Sequence, residues 1–244
     1  MPPKRKPNAP GRAPNPTSQQ STTIYFYAPN STPYGTFSQW YPSPLTIPTT
    51  SLHFLTRSPA STTLLATYAP RIPFTCAEQV HMFAKALLFG DAASCVRILA
   101  RSDPKEQKKL GKRVKGFNEY KWTRVKSRVV RVGNWYKFTD SRNEGLKEVL
   151  LGTGERELVE AAKGDRVWGI GFGEGEAEGR RGEWGENRLG EAVMAVRRRI
   201  RMCEARGEEG GERGKGDLEW DGGEEEEEEE EEEEVGEGMG EEDG

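Results

Sequence analysis

Histidine is scarce: His53 and His81 are the only two in 244 residues. That excludes a multi-histidine metal site and leaves a Ser-His-Asp triad few ways to form. Cysteine is scarce too. Cys76, Cys95 and Cys203 are odd in number, far apart and without a CxxC spacing, which argues against both a disulfide framework and a zinc centre and fits a reducing compartment. No apolar run approaches the length of a membrane span, and the first twenty residues lack the apolar stretch of a signal peptide. A soluble, intracellular protein is expected, in the cytoplasm or the nucleus. No cofactor and no metal is called for, and the chemistry must rest on carboxylates, amides and lysines.

What is abundant is charge, unevenly divided. The net charge of −4 conceals a tail, residues 207–244, with 21 acids and 2 bases, and a body, residues 1–206, with 34 bases against 19 acids. A basic body favours phosphate-bearing ligands or nucleic acid, and a tethered polyanion competes for the same surface or recruits basic partners. Residues 1–22 are rich in Pro, Ser, Thr, Asn and Gln and carry Lys4-Arg5-Lys6, read either as a nuclear-import signal or as a solvated basic end. Three regions are expected: a disordered leader 1–22, one folded domain 23–203 and a disordered acidic tail 204–244.

Within the domain, short aromatic runs broken by Pro and Gly from Ile24 to Phe54 predict brief strands and ordered loops, and Thr56 to Pro73 reads as a loop insertion. Thr75-Cys-Ala-Glu78 has the form of a capping box opening a helix that Gly90 ends. Asp103-Pro104 opens a short basic helix; a valine stripe after Trp122 predicts another; Ser141–Glu144 opens one that Gly152 closes. A strand at Glu157–Ala162, a tight loop from Asp165 to Gly171, an insertion at 172–186 and a last helix from Leu189 to Met202 complete the pattern. The fold class expected is α+β, a helix-rich single compact domain with disordered extensions.

Glu78 and Lys85 are the only charged side chains of the 76–89 helix. Seven residues bring them to nearly the same angle, about 10 Å apart along the axis, where they flank one ligand; alternatively Glu78 completes the cap and Lys85 reaches the surface along its stem. Asp165-Arg-Val-Trp168-Gly169 sets an acid ahead of an aromatic plate and a close-approaching backbone, or is an ordinary turn with a core tryptophan. Asn187 either caps the last helix or holds a ribose or base edge. Arg124, Lys126, Arg128 and Arg131 form either a phosphate-facing row or a solvated basic face.

Several motifs occur in a telling order: Phe37-Ser-Gln39-Trp40-Tyr-Pro-Ser-Pro44, Ala77-Glu-Gln79 with Lys85 to Asp91, Trp122 with Arg124, Lys137-Phe138, Leu150 to Gly154, Leu158 to Ala161, Trp168 to Gly171, Asn187 with Leu189-Gly190, and Met194 to Arg197. Over roughly residues 23–203 the chain resembles the NADAR (YbiA-like) family. It departs at Gln39, where relatives often have Asn, at Thr123, where an acid is common, and in its two insertions.

The resemblance implies an N-glycosidase acting on a ribose anomeric carbon bonded to nitrogen, either in reactive riboflavin-pathway ribosylamino-pyrimidine phosphates or in ADP-ribosylated guanine. It implies Lys85 as a nucleophile forming an imine with ring-opened ribose, Glu78 and Asp165 as proton carriers, and substrate contacts from Trp168, Gly169, Asn187, Lys137, Gln39 and Trp40. The alternative from another class is a non-catalytic module that binds ADP-ribose or NAD.

Overall fold

The computed structural model describes residues 22–68 and 70–207. The leader through residue 21 and the glutamate run lie outside the described residues, and with them the expectations of disorder and of an import signal. Strand β1 (Thr23–Phe26) pairs in parallel with β4 (Glu157–Glu160), and β2 (Leu45–Pro48) pairs antiparallel with β3 (Arg71–Phe74). The remaining elements are helical: α1 (Pro59–Ala66), α2 (Ala77–Leu88), α3 (Ala92–Leu99), α4 (Pro104–Gly111), α5 (Glu119–Thr139), α6 (Glu144–Leu151), α7 (Glu174–Ala177) and α8 (Arg188–Ala205). None of the described helices is long and apolar enough to cross a membrane.

Helix α2 is apolar on nearly every side, so it takes the centre: of its residues only Lys85 is not buried. One apolar cluster packs around it from β2, β3, α1, α3 and the amino-terminal half of α5, including Leu45, Phe74, Phe83, Leu87, Ile98 and Val129. A second joins β1 and β4 to α8 and the other half of α5 through Phe26, Phe37, Phe138, Leu158 and Val193. The long helix α5 enters both clusters and fixes one against the other.

Local signals account for most boundaries. The Asp103 side chain accepts from the Lys105 N–H at 3.0 Å with Pro104 at the first helical position, and Asn118 caps α5 through the Lys121 N–H at 2.9 Å. Gly90 ends α2 at φ +67°, in the left-handed region that glycine enters without strain.

Three expectations are corrected. The capping box at Thr75 does not form: α2 starts two residues later, Cys76 is its N-cap, and Gln79 reaches back to accept the Thr75 N–H at 2.7 Å. Thr56–Pro73 is not a plain loop but contains α1, whose Ser58 and Ser61 form a reciprocal cap ahead of Pro59, and the start of β3. Between Gly90 and Asp103 stands α3, capped by Asp91, whose Oδ1 accepts from the Ser94 N–H at 3.0 Å.

Candidate active site

Freed from the cap, Glu78 shares one face of α2 with His81 and Lys85, at steps of three and four residues. Glu78 is 5% exposed; one carboxyl oxygen accepts from the Trp40 side chain, while Oε1 is buried with no partner among the described residues. Burial raises its pKa to about 7, against the opposing pull of the Lys108 charge and the Trp40 hydrogen bond. Its own N–H donates to the Gln39 carbonyl at 3.0 Å, tying the Phe37–Pro44 segment to the start of α2.

Lys85, two turns on, is half-buried. Its Nζ stands 3.7 Å from the ring centre of Phe117 and 5.9 Å from that of Trp122. Burial lowers its pKa, with Glu119 acting the other way, so more of the amine is neutral and nucleophilic than in an exposed lysine.

His81 lies between them, stacked on Trp122 at 5.1 Å and meeting the edge of Trp168 at 5.1 Å. Burial, then the charges of Lys85, Lys108 and Lys126, press its pKa down to about 3, so the imidazole is neutral at physiological pH. The Trp168 contact joins α2 to the loop that follows β4.

That loop is built by Asp165, whose Oδ1 accepts from the Val167 N–H at 3.0 Å and the Trp168 N–H at 2.9 Å. Gly169 is required by close approach: a Cβ there would sit 2.6 Å from the Glu160 carbonyl oxygen. Behind the loop, Asn187 stands at φ +50° and makes no side-chain cap to α8. Its Oδ1 accepts from the Glu160 N–H at 3.0 Å and its Nδ2 donates to the Leu158 carbonyl at 2.9 Å, so the amide binds β4. The capping role read from the sequence is thereby corrected.

Lys137 is 0% exposed, and its Nζ donates to the Ser38 carbonyl at 2.9 Å. Burial lowers its pKa to about 7. The structure sets it beneath the Ser38–Trp40 segment, which it braces through the Ser38 carbonyl. Beside it Asn134, also fully buried, donates to Gln39 Oε1 at 3.4 Å and to the Val130 carbonyl at 2.9 Å.

Glu78, Lys85, Trp40, Gln39, Asp165, Trp168 and Gly169 thus converge on one region, whereas Lys137 and Asn187 support it from behind. Among the described residues no three His, Cys, Asp or Glu side chains are grouped to hold a metal ion. The three cysteines are buried free thiols.

The NADAR domain model matches residues 25–201, most of the described chain. The chain belongs to the NADAR domain family. It is 40% identical over 126 residues to an N-glycosidase of Acanthamoeba polyphaga mimivirus, covering 51% of this chain and 73% of that one. It is 30% identical over 179 residues to an N-glycosidase of Nostoc punctiforme, covering 73% and 93%. The E. coli protein YbiA, solved by NMR, shares the fold with a TM-score of 0.52 at 22% identity, covering 75% of this chain and 88% of that one.

Four residues of this candidate site were not singled out as site residues from the sequence: His81, Lys108, Trp122 and Glu160. For His81 a signal existed, since positions 78, 81 and 85 fall on one helical face. Lys108 comes from α4, 5.7 Å from the Trp40 ring, and its charge acts on Glu78, His81 and Glu160 together. Trp122, noted only as a family motif, is the plate under His81. Glu160 ends β4, and its Oε2 is buried without a partner among the described residues.

Proposed function

We propose that this NADAR domain hydrolyses an N-glycosidic bond to ribose on the α2 face that carries Glu78, His81 and Lys85. The observation that carries the reading is Lys85: an amine half-buried against two aromatic faces, pulled towards its neutral form, on the same helical face as a carboxyl that holds its proton near neutrality. Cleaving the bond builds positive charge on the anomeric carbon, and a neutral amine that attacks there takes up that charge as the nitrogen leaves. The product is an imine with ring-opened ribose, which water then hydrolyses.

Glu78, with a pKa near the working pH, carries protons on the ribose side as the ring opens and closes. Asp165 spends one oxygen on the loop and offers the other as fixed negative charge near the reacting centre. Trp168, Trp122 and the neutral His81 form an apolar wall for the sugar or base, and Trp40 and Gln39 fix Glu78 through its side chain and its N–H.

Two substrates share this chemistry, ribosylamino-pyrimidine phosphates and guanine ADP-ribosylated within nucleic acid. One observation favours the second. Residues 105–131, which run past Lys85, hold eleven lysines and arginines against two acids. In this stretch Phe117 is 41% and Tyr120 62% exposed. Exposed aromatics among basic residues suit a single strand whose bases stack while its phosphates are neutralised.

Release of free base from both substrate types, measured side by side, tests the reading. The expected result is turnover of at least one, with ADP-ribosylated guanine preferred. Tight ADP-ribose binding with no release from either would show a binding module instead.

A further inference from the structure

The backbone of Glu160 is held by three hydrogen bonds, while its Oε2 is buried without a partner among the described residues. Its N–H donates to Asn187 Oδ1 at 3.0 Å, and its carbonyl accepts from the N–H groups of Ala162 at 2.9 Å and Ile170 at 3.0 Å. Alternation along β4 sets it on the face of Leu158, a core residue, and its cross-strand partner is Phe26, another core residue. The residue itself is half-buried. Its carboxyl stands with Oε2 buried and unpartnered among the described residues, and the groups whose charges act on it are Asp165, Lys108 and Glu78, all belonging to the site.

Glu160 and Lys85 stand on different elements. Lys85 attacks from α2, whereas Glu160 belongs to β4 and is bonded through Ile170 to the loop that meets α2 at Trp168 and His81. Displacement at carbon sends the leaving group away from the incoming amine, so an acid that serves it belongs on an element other than α2.

We infer that Glu160 is a catalytic residue of this site, the acid that delivers a proton to the departing nitrogen. The inference rests on the N-glycosidase reading and assigns the leaving-group half of it. As the Lys85 lone pair forms the bond to the anomeric carbon, the electron pair of the old carbon–nitrogen bond moves to the nitrogen. That nitrogen takes the Glu160 proton, leaving a carboxylate. When water later replaces the lysine nitrogen at the sugar carbon, one water proton returns to Glu160, and nothing is oxidised or reduced. Desolvation, then the charge of Asp165, raises the Glu160 pKa to about 8, so the proton is present at neutral pH.

The test compares Glu160→Gln with the unsubstituted protein on two probes. One is an N-ribosyl 5-phosphate of an aminopyrimidine, whose nitrogen must gain a proton to leave; the other is nicotinamide mononucleotide, whose pyridinium leaves without one. A lost general acid is expected to slow the first by about 100-fold or more and the second far less. With the aminopyrimidine probe alone, the fall in kcat/KM as pH rises above about 8 should also disappear in the variant. Equal losses on both probes, or an unchanged high-pH limb, would overturn the role. If the unsubstituted protein releases no base from either probe or from ADP-ribosylated guanine, the N-glycosidase reading itself falls, and this role with it.

Discussion

Single residues in this site are placed against their own stability. Glu78 holds its proton up to about pH 7 when folded, against an ordinary value of 4.5. Below about pH 4.5 both folded and unfolded forms are protonated and the group costs nothing. As pH rises from 4.5 to 7 the unfolded chain ionises first, and above 7 the folded state bears the whole difference, about 3 kcal/mol. Glu78→Gln removes that burden while keeping the shape. It should raise the urea midpoint at pH 8, give no gain below pH 4.5, and lower kcat/KM by about 100-fold. A variant no more stable than the original at pH 8 would mean that Glu78 is not held against its ionisation.

At the scale of elements, the site depends on β4 and the loop after it staying in contact. Gly169 has no room for a methyl group: its Cβ would fall 2.6 Å from the Glu160 carbonyl oxygen and 3.0 Å from Ala162 Cβ. Gly169→Ala should push the loop off β4, cost about 1–3 kcal/mol, and carry Trp168 away from His81. Thermal stability and kcat/KM should then fall together; a drop in stability with catalysis intact would detach the loop from the site.

The same elements show what could be read in advance. The α2, α5 and α8 helices were legible from their apolar periodicity, although the side-chain caps read at Thr75 and Asn187 do not form. Helix α1 was not, since its Ser- and Thr-rich sequence imitates a loop, although Ser58 before Pro59 is a valid start. In the site, Glu78 and Lys85 stood out as charges in an apolar helix. Glu160 did not, because Glu-Leu-Val-Glu reads as a strand with acids facing solvent. Its Oε2 is buried, and the charges of Lys108 and Glu78 that act on it come from parts of the chain distant in sequence. The bracing bond of Lys137 was equally hidden: nothing local shows that Ser38, 99 positions away, supplies its acceptor.

Taken whole, the molecule concentrates its positive charge on α4, α5 and the turn between them, beside Lys85, and carries opposite charge in residues 224–234, an unbroken run of glutamate. Binding to a single-stranded oligonucleotide should weaken with salt, with a log–log slope of about −0.7 for each phosphate neutralised. Lys112→Gln with Arg113→Gln should flatten that slope, whereas Tyr120→Ala should lower affinity about tenfold without changing it. Removing residues 208–244 should strengthen binding most at low salt. Binding indifferent to salt would assign the basic face to solvation and return the substrate to the small-molecule class.

The central claim is that Lys85 bonds to the sugar carbon, and borohydride reduction during turnover tests it most directly. The account predicts a stable adduct of ribosyl mass, mapped by peptide mass spectrometry to Lys85 and absent in Lys85→Arg. An adduct that persists in Lys85→Arg, or that maps to another lysine, would contradict it.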